Sequence, residues 1–168
     1  MNENGYIRKI DELGRIVIPK ELRQKLKIQD GENLIINHID KTINLSKYSY
    51  IVNNETFIKK VGDKVSRLMN IDVLIIDLEN IIYSNKNHKI TIYDKKLLEY
   101  IKNRENAKLS ELIINKETKL KGYIYLEPII AKSLGIGLVI LFTNKNSQEL
   151  DKLCKLISSI ISFHIDIT

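Results

Sequence analysis

The chain is 168 residues long, 43% hydrophobic and 29% charged, with a net charge of +6. Those are the proportions of an ordinary globular protein built as one medium domain or two small ones. No apolar run approaches the roughly 20 residues of a membrane-spanning helix, the polar start Met1-Asn-Glu-Asn-Gly-Tyr6 predicts no secretion signal, and a single cysteine, Cys154, excludes an internal disulfide and suits a reducing cytoplasm.

Residues 6–10 and 15–18 are rich in β-branched and apolar side chains and flank Asp11-Glu12-Leu13-Gly14. They predict two short strands joined by a turn, with Gly14 at positive φ. Pro19 ends the second strand and suits the first position of a two-turn helix to about Lys25, with Leu22 and Leu26 on one face. Asp30-Gly31 closes that element, and residues 34–39 and 42–45 predict a second hairpin around Asp40-Lys41. The resulting β-β-α-β-β block, residues 1–48, is too small to bury its many apolar side chains alone. A second copy of the chain is the expected cover.

A polar bridge, residues 46–54, follows, with 49–53 read as the linker to a second domain over 54–168. Asn54 caps a predicted helix reaching Met69, with Phe57, Ile58, Val61, Val65 and Leu68 at helical spacing. Residues 72–78 and 81–84 predict a hairpin around Glu79-Asn80, and Asp94 starts a helix carrying Leu97, Leu98 and Ile101. Residues 103–121 give no clear element. Residues 122–131 and 136–142 are strand-like, joined by a loop over 132–135, and Asn146-x-x-Glu149 opens a closing helix. Helix, hairpin, helix, strands and helix together predict an α+β domain around a central antiparallel sheet.

Cations are written almost entirely as lysine: 22 lysines against five arginines, three of which, Arg8, Arg15 and Arg23, fall in the first 23 residues. A planar five-donor fork matches phosphates and guanine edges in a way lysine does not. Residues 6–27 hold seven basic groups against three acidic ones, so local charge density favours a polyanion. Each arginine equally suits a surface ion pair with Asp11 or Glu12.

The run Gly5-Tyr-Ile-Arg-Lys-Ile-Asp-Glu-Leu-Gly-Arg-Ile-Val-Ile-Pro-Lys-Glu-Leu-Arg23 resembles the AbrB-type swapped-hairpin DNA-binding domain. The resemblance implies a homodimer with interlocked hairpins, double-stranded DNA as partner, and DNA contacts at Arg8, Arg15 and Arg23, with Lys9, Lys20 and Gln24 as further candidates. The chain departs from the family at Gln24, where a second arginine is common; glutamine reads adenine or a phosphate but brings no charge. The two-part layout resembles a family of transcriptional regulators of spore-forming bacteria, a swapped-hairpin head followed by a GAF-like domain. That implies activation and repression of late sporulation genes in the cytoplasm or forespore, and homotetramers tied together through the C-terminal domains.

A GAF-like domain can hold a small effector, and Ile76, Tyr83, Tyr123, Tyr125 and Ile140 are the candidate lining, although a packed core would use the same residues. Leu153, Ile157, Ile160, Ile161 and Ile165 cover more than one face of the last helix and suggest a subunit contact. Nothing predicts catalysis, a cofactor or a metal site: His38, His88 and His164 are far apart, and Cys154 lies among leucines and isoleucines like a structural thiol. Two rival functions remain: an antitoxin, because such heads also occur in toxin–antitoxin pairs, and a ligand sensor using the head mainly to dimerise.

Overall fold

The computed structural model describes residues 5–28, 30–86, 94–114, 119–147 and 149–168. The chain divides into two compact units, Met1–Tyr48 and Ser49–Thr168.

In the first unit, Asp11 organises the expected turn. Its Oδ1 accepts the N–H of Leu13 at 3.0 Å and of Arg15 at 2.8 Å. Its carbonyl accepts the N–H of Gly14 at 2.9 Å, and Gly14 takes a φ of 75°, the left-handed region open to glycine. Residues 6–10 and 15–18 do not form the expected strands. Within one chain they have no ladder beyond the Asp11 N–H to Arg15 carbonyl bond of 3.1 Å. Ile7 is 93% exposed, and Ile10, Ile16 and Val17 are also in solvent. A lone two-stranded ribbon buries too little to hold its register.

Helix α1 (Lys20–Lys25) starts after Pro19, as the fixed φ of proline suggests. Strands β1 (Leu34–Ile39) and β2 (Thr42–Lys47) pair antiparallel around Asp40-Lys41, from Ile39↔Thr42 to Leu34↔Lys47.

The second unit starts at once. Residues 49–53 are not a linker: they form the short helix α2 (Tyr50–Asn53), whose Ile51 is fully buried in this unit's core. Ser49 Oγ accepts the Val52 N–H at 3.2 Å and donates to Asp77 Oδ2 at 3.1 Å. A four-residue helix, Tyr50-Ile-Val-Asn53, has too short a period to be recognised, yet buried Ile51 and half-buried Tyr50 pack it onto this unit's core.

Helix α3 (Glu55–Met69) has Asn54 at its N-cap position, but the Asn54 amide donates back to the Tyr50 carbonyl at 2.9 Å instead of capping. Strands β3 (Asp72–Asp77) and β4 (Ile81–Ser84) form a hairpin. Helix α4 (Lys95–Asn103) is capped by Asp94, which accepts the Lys96 N–H at 2.9 Å. The undefined stretch 103–121 contains β5 (Ala107–Ile113), an edge strand whose polar outer face and bulge between Leu109 and Glu111 blur its alternation. Strands β6 (Lys119–Ala131) and β7 (Leu134–Thr143) and helix α5 (Glu149–Ile167) complete the unit.

The sheet order is β4-β3-β7-β6-β5, with every pairing antiparallel. One face packs Val73, Ile75, Val139 and Leu141 against Ile58 of α3 and Ile157 and Ile161 of α5. The other packs Leu74, Ile76 and Ile140 against Leu97 and Ile101 of α4. This is the expected α+β architecture, a central antiparallel sheet flanked by helices.

The loop expected at 132–135 is a two-residue turn, Lys132-Ser133, with both residues left-handed. Gly135 belongs to β7, where a β-carbon would stand 1.9 Å from the Ile101 carbonyl oxygen. The closing helix separates the residues expected to form one contact: Ile157, Ile161 and Ile165 are buried in their own unit, whereas Leu156, Ile160, Phe163 and Ile167 line an exposed stripe.

Candidate nucleic-acid interface

All six candidate residues lie in the first unit, and Arg8, Lys9, Arg15, Lys20 and Gln24 are exposed while Arg23 is half-buried. Arg15 is the best defined. Its Nε donates to Asp11 Oδ2 at 2.7 Å, and its backbone N–H donates to the other oxygen of the same carboxylate. Through that N–H first and the guanidinium second, Arg15 holds the Asp11 carboxyl below the usual aspartate range. The Arg15 side chain stays 72% exposed, and among the described residues its two terminal nitrogens have no partner. One edge of the fork is braced and the other faces solvent.

Arg8 donates to the Ile7 carbonyl at 3.0 Å, and its guanidinium carbon lies 5.9 Å from the Tyr6 ring centroid, within cation–π range. Arg23, on α1, pairs through Nη1 with Asp30 Oδ1. Asp30 carries no signal beyond its place in a turn; the pairing appears only once the chain reverses after α1, through the Ile28 N–H to Arg23 carbonyl bond. Among the described residues neither Lys9 nor Lys20 has a carboxylate partner, and no hydrogen bond joins any two of the six. Each arginine engages its own acceptor, so a single chain does not gather them into one closed anion site.

The proposed effector lining does not converge. Ile76 and Ile140 belong to the α4 face of the sheet, Tyr83 and Tyr125 to the opposite face, and Tyr123 is exposed. Tyr125 Oη donates to the Ser147 carbonyl at 2.8 Å. The space between Asp72, Leu74, Leu120, Ile140 and Phe142 amounts to about 10 Å³, room for one water at most. Alternation along a strand sends neighbouring side chains to opposite faces, so apolar character alone could not tell the two faces apart.

Cys154 is buried, with Sγ 3.6 Å from the carbonyls of both Tyr125 and Val139, and burial raises its thiol pKa. His38 lies on β1, His164 stacks on Phe57 at 3.8 Å between ring centroids, and His88 lies outside the described residues. Among the described residues no three His, Cys, Asp or Glu side chains are grouped to hold a metal, and no helix is long and apolar enough to cross a membrane.

Residues 7–52 match the family described as antidote-toxin recognition MazE, bacterial antitoxin. The chain is similar to stage V sporulation protein T of Bacillus subtilis, 31% identical over 158 residues, covering 88% of each. It is also similar to the transition state regulatory protein AbrB of the same organism, 50% identical over 48 residues, which cover 29% of this chain and 50% of AbrB. Among solved structures, GAF3 of a Synechocystis protein in its photoproduct state aligns with a TM-score of 0.48 at 12% identity, covering 67% of this chain and 92% of that one. Residues 122 to 287 of a methyl-accepting chemotaxis protein align with a TM-score of 0.49 at 10% identity, covering 67% and 90%.

Proposed function

The chain belongs to the family of stage V sporulation protein T, and on that basis we propose that it is a sequence-specific DNA-binding transcriptional regulator. Arg8, Arg15 and Arg23 contact DNA, with Lys9, Lys20 and Gln24 beside them. Arg15 carries the reading furthest: a carboxylate braces one edge of its guanidinium and the opposite edge is free for a phosphate or a guanine. The 48-residue AbrB match supports the same assignment.

The head works as a homodimer. Ile7, Ile10, Ile16 and Val17, exposed in a single chain, are covered when residues 6–10 and 15–18 of two copies interlock, and the arginines are then doubled on one surface. The second units tie dimers into tetramers. Activation and repression of late sporulation genes, in the cytoplasm or forespore, is the role that family membership suggests for the assembly.

The test is a genome-wide DNA pulldown with wild type and Arg15→Ala at two salt concentrations. Wild type should give defined peaks that weaken steeply with salt. The variant should lose those peaks and, with two copies per dimer, lower the slope of log affinity against log salt by about two. Identical peak sets would remove Arg15 from the interface.

A second reading is favoured by the MazE match over residues 7–52: an antitoxin that holds a small toxin. A stoichiometric small protein co-purifying with the chain would support it over the regulator.

A further inference from the structure

Helix α3 contains two choices that weaken a helix. Gly62 sits in its interior, where glycine is a poor helix former, and Ser66, one turn later, is only 7% exposed. Both serve Tyr83 of β4. A β-carbon on Gly62 would fall 2.4 Å from the Tyr83 ring, and Ser66 Oγ lies 2.9 Å from Tyr83 Oη. Ser66 donates its one proton to the Asp63 carbonyl at 3.0 Å, so Tyr83 donates to Ser66 and keeps its own lone pairs for an outside donor.

Those lone pairs belong to an open polar cleft of about 440 Å³ on the surface between the end of α3 and β4, lined by Asp63, Ser66, Arg67, Asn70, Tyr83, Ser84 and Asn85, with the Ser84 hydroxyl spent on the Lys86 carbonyl. Asn85 is spent on the backbone of Val73 and Ile71. Asp63 and Arg67 pair at 3.0 Å through one oxygen and one nitrogen. Among the described residues the second Asp63 oxygen and the other guanidinium nitrogens have no partner, and neither does the Asn70 amide.

We propose that this cleft binds a small, hydrophilic free α-amino acid. Its ammonium donates to Asp63 and to Tyr83 Oη, and its carboxylate takes Arg67 and the Asn70 amide. An α-amino acid carries its two opposite charges on one carbon, which suits a carboxylate and a guanidinium already side by side. A ligand of single charge would use only one of the two, the free Asp63 oxygen or the free guanidinium nitrogens. The lining is polar, so a bulky apolar side chain gains nothing there. The Arg67 side chain is 77% exposed and that of Asp63 47%, so screening keeps the affinity in the millimolar range. The proposal names the effector class for the regulator above, but binding is measured without DNA, so either reading fails independently of the other.

The probes are glycine, L-serine and L-glutamine at millimolar concentration, with the full chain, followed by thermal unfolding and calorimetric titration. Serinamide, lacking the carboxylate, and N-acetylserine, lacking the ammonium, are the controls. At least one free amino acid should raise the Tm by about 3 °C near tenfold excess over its Kd, and both controls should leave it unchanged. Arg67→Gln and Tyr83→Phe should each weaken binding by about tenfold, while Lys64→Gln, an exposed change on the same helix, should leave it intact. No saturable shift with any of the three amino acids, equal binding of the capped controls, or binding that survives Arg67→Gln would each overturn the proposal.

Discussion

Tyr83 packs against Gly62 so closely that a β-carbon there would stand 2.4 Å from Tyr83 Cδ1. Alanine at position 62 improves helix propensity by about 1 kcal/mol but cannot coexist with the ring as placed. Gly62→Ala is therefore expected to be destabilising by about 1–3 kcal/mol, the range of an overpacked core. Thermal or denaturant unfolding checks the sign. Adding Tyr83→Ala should give less than the sum of the two single effects, because the clash then disappears.

The turn at Lys132-Ser133 presents the opposite case. The two residues have φ of 50° and 64°, a conformation that disfavours side chains with a β-carbon by about 1–2 kcal/mol. Lys132 donates its N–H and its ammonium to Asp166, whereas Ser133 contributes only its carbonyl, which accepts Arg104 Nη1 at 3.3 Å. Ser133→Gly keeps that bond and relieves the strain, partly offset by glycine's greater freedom when unfolded. A net gain of about 0.5–1 kcal/mol is expected by chemical denaturation.

Glu127 on β6 is half-buried, and burial raises its carboxyl pKa against the opposing pull of Lys155. A folded-state pKa above the unfolded one means that the native state holds the proton longer. The penalty is absent below the unfolded pKa, near 4, and grows as pH rises through the folded value. Glu127→Gln should match wild type in Tm at pH near 4 and exceed it at neutral pH. An equal difference at every pH would assign the effect to packing instead.

The stripe formed by Leu156, Ile160, Phe163 and Ile167 on α5 leaves Phe163 67% exposed. Spacings of four, three and four residues suit a helix seam between subunits. Ile160→Glu with Phe163→Glu should reduce the proposed tetramer to dimers in native mass spectrometry while each unit stays folded. A tetramer unaffected by both changes would place the contact elsewhere.

At Gln24 the chain has an exposed neutral side chain beside Arg23 on α1. Gln24→Arg should tighten DNA binding at low salt and steepen the salt slope by about one per chain. A changed sequence preference without a steeper slope would mean that Gln24 reads a base edge.

Much of the candidate interface was legible because its signals are local. Turn chemistry at Asp11–Gly14, the proline before α1 and the arginine skew all lie within 19 consecutive residues. The Asp30 partner of Arg23 was not legible, because it depends on the chain reversing after α1. In the second unit the long helices and the β6–β7 pair showed in their periodicity. Strand β5 and helix α2 did not: one is a bulged edge strand and the other is a single turn anchored by Ile51 and Tyr50.

By itself the sequence determined which segments need apolar cover, where the helices start and where cationic forks concentrate, because period, caps and residue type act over a few neighbours. Only the tertiary structure decided which surface meets which. It turned Ile157 and Ile161 inward and left Ile160 and Phe163 outside, and it set Tyr83 and Ile76 on opposite faces of the sheet. It also left residues 6–10 and 15–18 without a ladder in a single chain. Those outcomes depend on contacts between residues far apart in sequence, and a hydrophobic pattern encodes the need for burial but not the partner that satisfies it.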